Sequence, residues 1–374
     1  MSRAAALRMA AATLVWLGGC GGGSESGVAA SQADAAWTDY AAVRLDAQGQ
    51  TPELSLPWLA DRAGLVVEVS SPSQRCMQVD ALSDDAGHAY IARAESGPYC
   101  IECEQRASAV SGAGRFVFPS RAGPFMPTGA LRFRFGLRDC DTLTRAAPPS
   151  IGETLFVRVR STRAPPPRGT LALRLVVTPA SVFHAPASDT AINALLDALN
   201  VELAGAQLSA RWVAVTRLPA AATSDALFSR ADSSALQALL AQDPSTQDGV
   251  AVVLAGCLQL SEPALRRTSE PQGYTPHIPG GAGPADGVFI QGSLCGTPGP
   301  VRIEWSASAM ARVIAHELGH YLGLYHSVEA DGSTDQLEDT DAANLMFYRS
   351  SDSTAQGLSP TQGEVVRAHP AVGR

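Results

Sequence analysis

Residues 316–326 read His316-Glu317-Leu318-Gly319-His320-Tyr321-Leu322-Gly323-Leu324-Tyr325-His326, and three of the chain's seven histidines fall inside this short run. On a helix turning about 100° per residue, His316 and His320 stand one above the other on a single face, as two ligands of one metal ion must. Glu317 is offset to the side of that face, where a carboxylate reaches a metal-bound water without displacing it. Ile314, Leu318 and Leu322 fall opposite and form the apolar stripe that anchors the helix. The pattern predicts a helix from about Trp305 to Leu322 with a wet ligand face and a dry back. A glycine at position 323 can adopt the left-handed conformation that ends a helix, turning the chain so that His326 approaches the same ion from another direction. Three neutral imidazoles leave one corner of a tetrahedral Zn²⁺ open to water, the arrangement of a catalytic centre and not of a closed structural one.

The run HELGHYLGLYH resembles the HExxHxxGxxH signature of the metzincin zinc endopeptidases, and the resemblance covers roughly Ser188 to Arg374. It implies a twisted mixed sheet with helices, an active-site helix, a Met-turn and a C-terminal helix. It also implies peptide-bond hydrolysis through a zinc-activated water, with Glu317 moving the proton. Asn344-Leu345-Met346-Phe347 is the candidate Met-turn, its Met346 lying beneath the zinc without binding it. Tyr348 stands where astacins and serralysins carry a tyrosine that joins the metal or steadies the transition state; an aromatic wall of the S1′ pocket is the other reading. Ser327 follows the third histidine as in matrixins, while the next loop is closer to the bacterial pappalysin type, so the subfamily stays open.

Around this core, Asp286 to Gln291 is expected as the sheet-edge strand along which metzincins bind an extended peptide, with an ordinary paired strand as the alternative. Glu329, Asp331, Asp335, Glu338, Asp339 and Asp341 crowd the following loop and could hold Ca²⁺ through oxygen ligands. Their spacing matches no EF-hand, and a solvated acidic loop is the plainer reading. Ser359-Pro360 followed by Thr361 to Ala368 reads as a closing helix. His88, His184, His277 and His369 are isolated and read as surface or packing residues.

Upstream, Asp189 opens an alanine- and leucine-rich helix over Thr190 to Leu203, with Ile192, Leu195, Leu196 and Leu199 at helical spacing. A strand at Arg211 to Thr216, a helix at Ser233 to Ala241 and an apolar strand at Val250 to Ala255 follow, which implies a layered sheet with helices against it. From about Trp37 to Thr178 the pattern is instead short β runs between turn clusters: Leu65 to Val69, Ala89 to Arg93, Arg115 to Phe118, Leu131 to Leu137, Leu155 to Arg160 and Leu171 to Val177. These predict an antiparallel β-sandwich. Within it, Leu131-Arg132-Phe133-Arg134-Phe135 puts apolar residues on one face and arginines on the other. The arginine row could bind an anionic glycan, and a solvated sheet face is the simpler reading. Arg163 to Gly169 is expected as an exposed loop joining the last two sandwich strands. The fold expectation is therefore α+β: a sandwich over 37–180, then a metzincin-like catalytic domain over 186–374.

The N-terminus reads as a lipoprotein signal peptide over 1–19. Arg3 and Arg8 form a positive region, Met9 to Leu17 is apolar but too short to span a bilayer, and Leu17-Gly18-Gly19-Cys20 resembles the bacterial lipobox. That implies acylation of Cys20, with an ordinary secretory cleavage nearby as the alternative. Residues 20–36, with Gly21 to Gly27 rich in Gly and Ser, form a tether. Export to the cell envelope follows, at the outer membrane or cell surface. The six cysteines after Cys20 are even in number and expected to pair, Cys257 with Cys295. Among Cys76, Cys100, Cys103 and Cys140 all three connectivities stay open.

Composition narrows the chemistry further. The 374 residues carry 36 Asp plus Glu against 28 basic residues, and every basic residue is Arg. With no lysine there is no Walker lysine and no Schiff base. The acidic balance argues against a nucleic-acid partner. The expected partners are a protein or peptide substrate and, through the anchor, a membrane. The competing class is a non-catalytic binding or adhesion lipoprotein with a degenerate protease domain. A tethered amidase acting on cell-wall peptide would share the chemistry and differ in substrate.

Overall fold

The alternating segment Leu131 to Phe135 lies in the strand Ala130–Arg138, whose apolar residues are buried while Arg132 and Arg134 are exposed. In the computed structural model of this chain, that strand belongs to an antiparallel sheet ordered Leu54–Pro57, Ala130–Arg138, Cys76–Asp84, Ala89–Ala92, with Val110–Ser111 also paired to Cys76–Asp84. A second antiparallel sheet runs Thr38–Arg44, Thr154–Thr162, Gly64–Ser70, Ala113–Phe118. The two sheets enclose a common core that includes Leu65, Val67, Phe116, Met77, Leu82, Phe133 and Phe135. Arg132 is neutralised by Glu53 and Asp85, each at 2.9 Å. The structure describes residues 36–73, 75–92, 110–120, 123–140, 144, 152–185, 189–263, 266–281, 286–296, 301–330, 332, 334, 335, 337, 340–349 and 357–373. The signal segment, Cys20 with the tether up to residue 35, Cys100 and Cys103 lie outside them.

Besides the two-residue Val110–Ser111, three strands here escape the sequence pattern for identifiable reasons. Thr38–Arg44 and Leu54–Pro57 are an irregular strand with a register shift between Tyr40 and Val43 and a strand of only four residues. Cys76–Asp84 carries Gln78 and Asp80 at buried positions, which masks its apolar character. Both polar side chains are satisfied by the buried Arg138 on the neighbouring strand. The disulfide Cys76–Cys140, with Cα atoms 5.1 Å apart, closes the end of the same strand pair.

The strand Gly169–Val177 corrects the expectation that Leu171 to Val177 ends the sandwich. It lies instead inside a mixed sheet ordered Leu208–Arg217, Gly169–Val177, Val250–Leu254, Val288–Ile290, Gly273–Tyr274. The first four strands are mutually parallel and the last is antiparallel. The physical reason is burial on both faces: Leu171, Leu173 and Leu175 face one core and Val176 another. A short apolar run identifies a strand but not its neighbours. Arg163 to Gly169 accordingly connects the sandwich to this sheet, and does not join two sandwich strands.

On one face of the mixed sheet pack helices α1 (Asp189–Leu203) and α3 (Ala307–Tyr321), through Ile192, Leu195 and Leu199 and through Met310, Val313, Ile314 and Leu318. Helix α2 (Ser234–Leu240) covers the other face with Leu236 and Leu239. Helix α4 (Pro360–Arg367) closes the chain, begun by a reciprocal capping box between Ser359 and Gln362. The expectation that Asp286 to Gln291 forms the sheet edge is also corrected. Val288–Ile290 is buried at every residue and sits between two strands, so among the described residues the edge on this side is Gly273–Tyr274. The molecule is thus mixed α+β. The Cys257–Cys295 disulfide is present, with Cα atoms 5.0 Å apart. Among the described residues no helix is long and apolar enough to cross a membrane.

Candidate metal centre

Helix α3 starts where the Ser306 hydroxyl accepts the Ala309 N–H at 3.1 Å. Its last two turns carry His316, Glu317 and His320, all buried. The helix ends through a paired reversal: the Gly323 N–H donates to His320 O and the Leu324 N–H to Gly319 O, both at 2.9 Å. Gly323 adopts φ +108°, a conformation open to glycine at little cost. The same reversal serves the second histidine, because His320 Nδ1 donates to the Leu324 carbonyl at 2.8 Å.

Each of the three imidazoles is held at Nδ1 by a different group. His316 donates to the Leu345 carbonyl at 2.8 Å, His320 to Leu324, and His326 faces the Glu329 carboxylate at 2.8 Å. This assigns the proton to Nδ1 and the lone pair to Nε2, the tautomer a metal ligand requires. The ring centroids lie 4.7, 5.2 and 4.8 Å apart, and one ligand nitrogen from each ring falls within 4.8 Å of the others. His320 Nε2 and His326 Nε2 are 3.2 Å apart. Two imidazole nitrogens bound to a tetrahedral Zn²⁺ stand about 3.3 Å apart, so the donor set fits that ion. Two facing lone pairs at this distance repel one another without a cation between them. Burial and the neighbouring His326 push His316 down to about 3, which keeps it neutral and able to ligate.

Glu317 is gripped twice by Thr275, whose hydroxyl lies 2.8 Å from Oε2 and 2.9 Å from the main-chain oxygen. Burial pushes the carboxyl up to about 8, partly opposed by the Thr275 hydroxyl. A dication beside it would pull the group back down. The edge strand Gly273–Tyr274 passes against this side chain, with Gly273 facing Glu317 directly.

Met346 is fully buried under the helix, where a methyl group at Gly319 would collide with its sulfur. Its N–H donates to Asn344 Oδ1 at 2.8 Å. Asn344 and Gln362 exchange amide hydrogen bonds of 3.0 and 2.9 Å, which tie this turn to α4. Tyr348 is half-buried; among the described residues its ring contacts are Phe347, with centroids 4.6 Å apart, and the Arg349 guanidinium at 5.1 Å.

In the acidic loop, Asp331, Glu338 and Asp339 lie outside the described residues. Glu329 holds His326, Asp335 accepts from the Leu337 N–H and the Thr340 hydroxyl, and Asp341 accepts from the Ala343 N–H. Among the described residues the three histidines are the one group placed to hold a metal. Two of the remaining histidines are more than surface residues. His277 is buried against Asp286 at 2.5 Å, and His369 is buried beside Tyr321 with its Nε2 3.2 Å from Gly280 O.

Sequence reading missed Thr275, Glu329 as a partner of His326, and the Asn344–Gln362 pair. Glu329 alone left a local signal, three residues after the last histidine.

No family model matches the chain, and no curated protein matches it in sequence. Among solved structures, a chain of a chaperone-substrate complex aligns at 16% identity and TM-score 0.30, covering 57% of this chain and 36% of that one. This chain thus spans little more than a third of that protein's length. Metalloproteinase-II from Bacteroides fragilis aligns at 10% identity and TM-score 0.34, covering 72% and 84%. A family two carbohydrate esterase from Clostridium thermocellum, in complex with cellohexaose, aligns at 10% identity and TM-score 0.15, covering 47% of each chain. Likenesses this slight leave the chemistry to be read from the side chains.

Proposed function

We propose that this chain is a zinc metalloendopeptidase of metzincin type, exported and lipid-anchored through Cys20. The observation that carries the reading is the convergence of His316, His320 and His326, each engaged at Nδ1, beside the clamped carboxylate of Glu317. Those three residues would hold Zn²⁺, which supplies Lewis acidity to a water and to a peptide carbonyl. Glu317 takes the water's proton at Oε1, the oxygen not bonded to Thr275, and delivers it to the leaving amine nitrogen. Thr275 keeps that carboxylate aimed. The side of Gly273–Tyr274 that no strand among the described residues pairs offers backbone N–H and C=O groups to an extended peptide. Arg3, Arg8 and the Leu17 to Cys20 motif support export, and the two disulfides suit an oxidising compartment.

The test combines metal analysis with digestion of a peptide library by the purified full chain. Zinc at one equivalent, cleavage abolished by chelation and restored by zinc, and a Glu317→Ala variant that keeps its zinc but does not cleave are the expected results. An undiminished rate in Glu317→Ala overturns the mechanism. A zinc-loaded chain with no turnover on any peptide favours a binding lipoprotein.

A further inference from the structure

The last of the three histidines is held differently from the first two. His316 and His320 sit within α3, are buried, and donate to backbone carbonyls of Leu345 and Leu324. His326 lies beyond the helix on irregular backbone, its side chain is 26% exposed, and its Nδ1 meets a carboxylate, Glu329 Oε2, at 2.8 Å. We propose that Glu329 is the positioning residue of the metal centre, fixing the tautomer and direction of the His326 ring and strengthening its Nε2 as a donor to a divalent cation. The inference rests on the metal-centre reading above.

Three features carry it. The backbone bearing both residues is fixed: the Ser327 N–H donates to Met346 O at 2.9 Å, and Val328 O accepts the Tyr348 N–H at 3.3 Å. Val328 also bridges to Thr334. Glu329 therefore rises from a platform anchored to the turn beneath the site, and its approach to His326 is set by that platform. The bond is charge-assisted, so it orients more strongly than a carbonyl would and places negative charge behind the ligand. His326 also needs such a partner most, since it is more exposed than the two helical imidazoles.

The experiment uses the purified full chain, stripped of metal and titrated with zinc against a chromophoric chelator. It compares wild type, Glu329→Ala, Glu329→Gln, Glu329→Asp and the exposed control Glu304→Gln. Glu329→Ala is expected to weaken zinc binding by about 10- to 100-fold, with Glu329→Gln intermediate and Glu329→Asp partly restored. The zinc-induced rise in Tm shrinks in the same order, and the visible spectrum of the cobalt-loaded protein shifts in Glu329→Ala and Glu329→Gln but not in Glu304→Gln. A simple loss of loop stability would lower the metal-free Tm and leave the cobalt spectrum of Glu329→Gln unchanged, and that result overturns the proposal. Zinc affinities within twofold of wild type in Glu329→Ala and Glu329→Gln also overturn it. Failure of the wild-type chain to bind zinc would instead remove the metal-centre reading itself, so the two failures are told apart.

Discussion

The Thr275 hydroxyl contacts both the carboxylate and the main-chain oxygen of Glu317, at 2.8 and 2.9 Å, although the two residues are 42 positions apart. A side chain next to the sheet edge thus sets the direction of the one carboxylate that lies on α3, between His316 and His320. Replacing Thr275 by Val keeps the shape and removes the grip. The expected outcome is a fall in kcat of about tenfold or more with zinc content unchanged, because a misaimed base loses rate before it loses metal. Thr275→Ser should recover most of the rate. Steady-state kinetics alongside metal analysis check this, and an unaltered kcat in Thr275→Val would count against the role.

Gly323 is the second position with a sharp expectation. At φ +108° an alanine is strained, and the cost is about 1–3 kcal/mol. Because this reversal presents Leu324 O to His320 and leads the chain back to His326, Gly323→Ala should lower both unfolding free energy and zinc affinity. Denaturant titration and zinc competition measure the two, and a loss of stability alone would mean that the ligands tolerate a different exit from the helix.

The Asn344–Gln362 pair joins the turn beneath the three histidines to the last helix. Removing one buried amide leaves its partner's hydrogen bonds unmade, at a cost of about 1–3 kcal/mol. Gln362→Leu and Asn344→Leu should each destabilise, and the double variant should cost less than the two added together. Thermal unfolding of the four proteins closes this cycle. Strict additivity would show that the amides do not act as a pair.

His369 should govern part of the acid sensitivity. Burial and the nearby Arg115 push it down to about 3, against opposing effects of Gly280 O and Asp286. Its Nδ1 accepts the Ala371 N–H at 3.1 Å, a bond that needs the neutral ring. The unfolded chain takes up a proton near pH 6.5 and the folded chain near 3, so the contribution of His369 is full above about 6.5 and declines as pH falls toward 3. His369→Asn should lower Tm at pH 7.5 by several degrees, and the gap to wild type should narrow by pH 4. A gap that stays constant with pH would contradict the shift.

Much of this was legible along the chain. The α3 pattern needed only its periodicity, because the spacing His316, His320 and the glycine at 323 act within one stretch of helix and one reversal. The buried face of α1 and the strands Leu208–Arg217 and Val250–Leu254 were readable for the same reason. Less visible was Cys76–Asp84, where Gln78 and Asp80 look solvent-facing until Arg138 is placed beside them. The strand Gly169–Val177 looked like its predecessors, and only its parallel neighbours assign it to the mixed sheet.

By itself, then, the order of residues determined which side chains share a helix face, where the helix stops and which runs alternate as strands, since backbone geometry sets those relations over a few residues. Tertiary structure alone decided that Gly273–Tyr274 is the sheet edge, that Thr275 reaches Glu317, and that Leu345 holds His316. These contacts join groups distant in sequence, and they form only where two packed surfaces bring a donor to an acceptor that neither local pattern encodes.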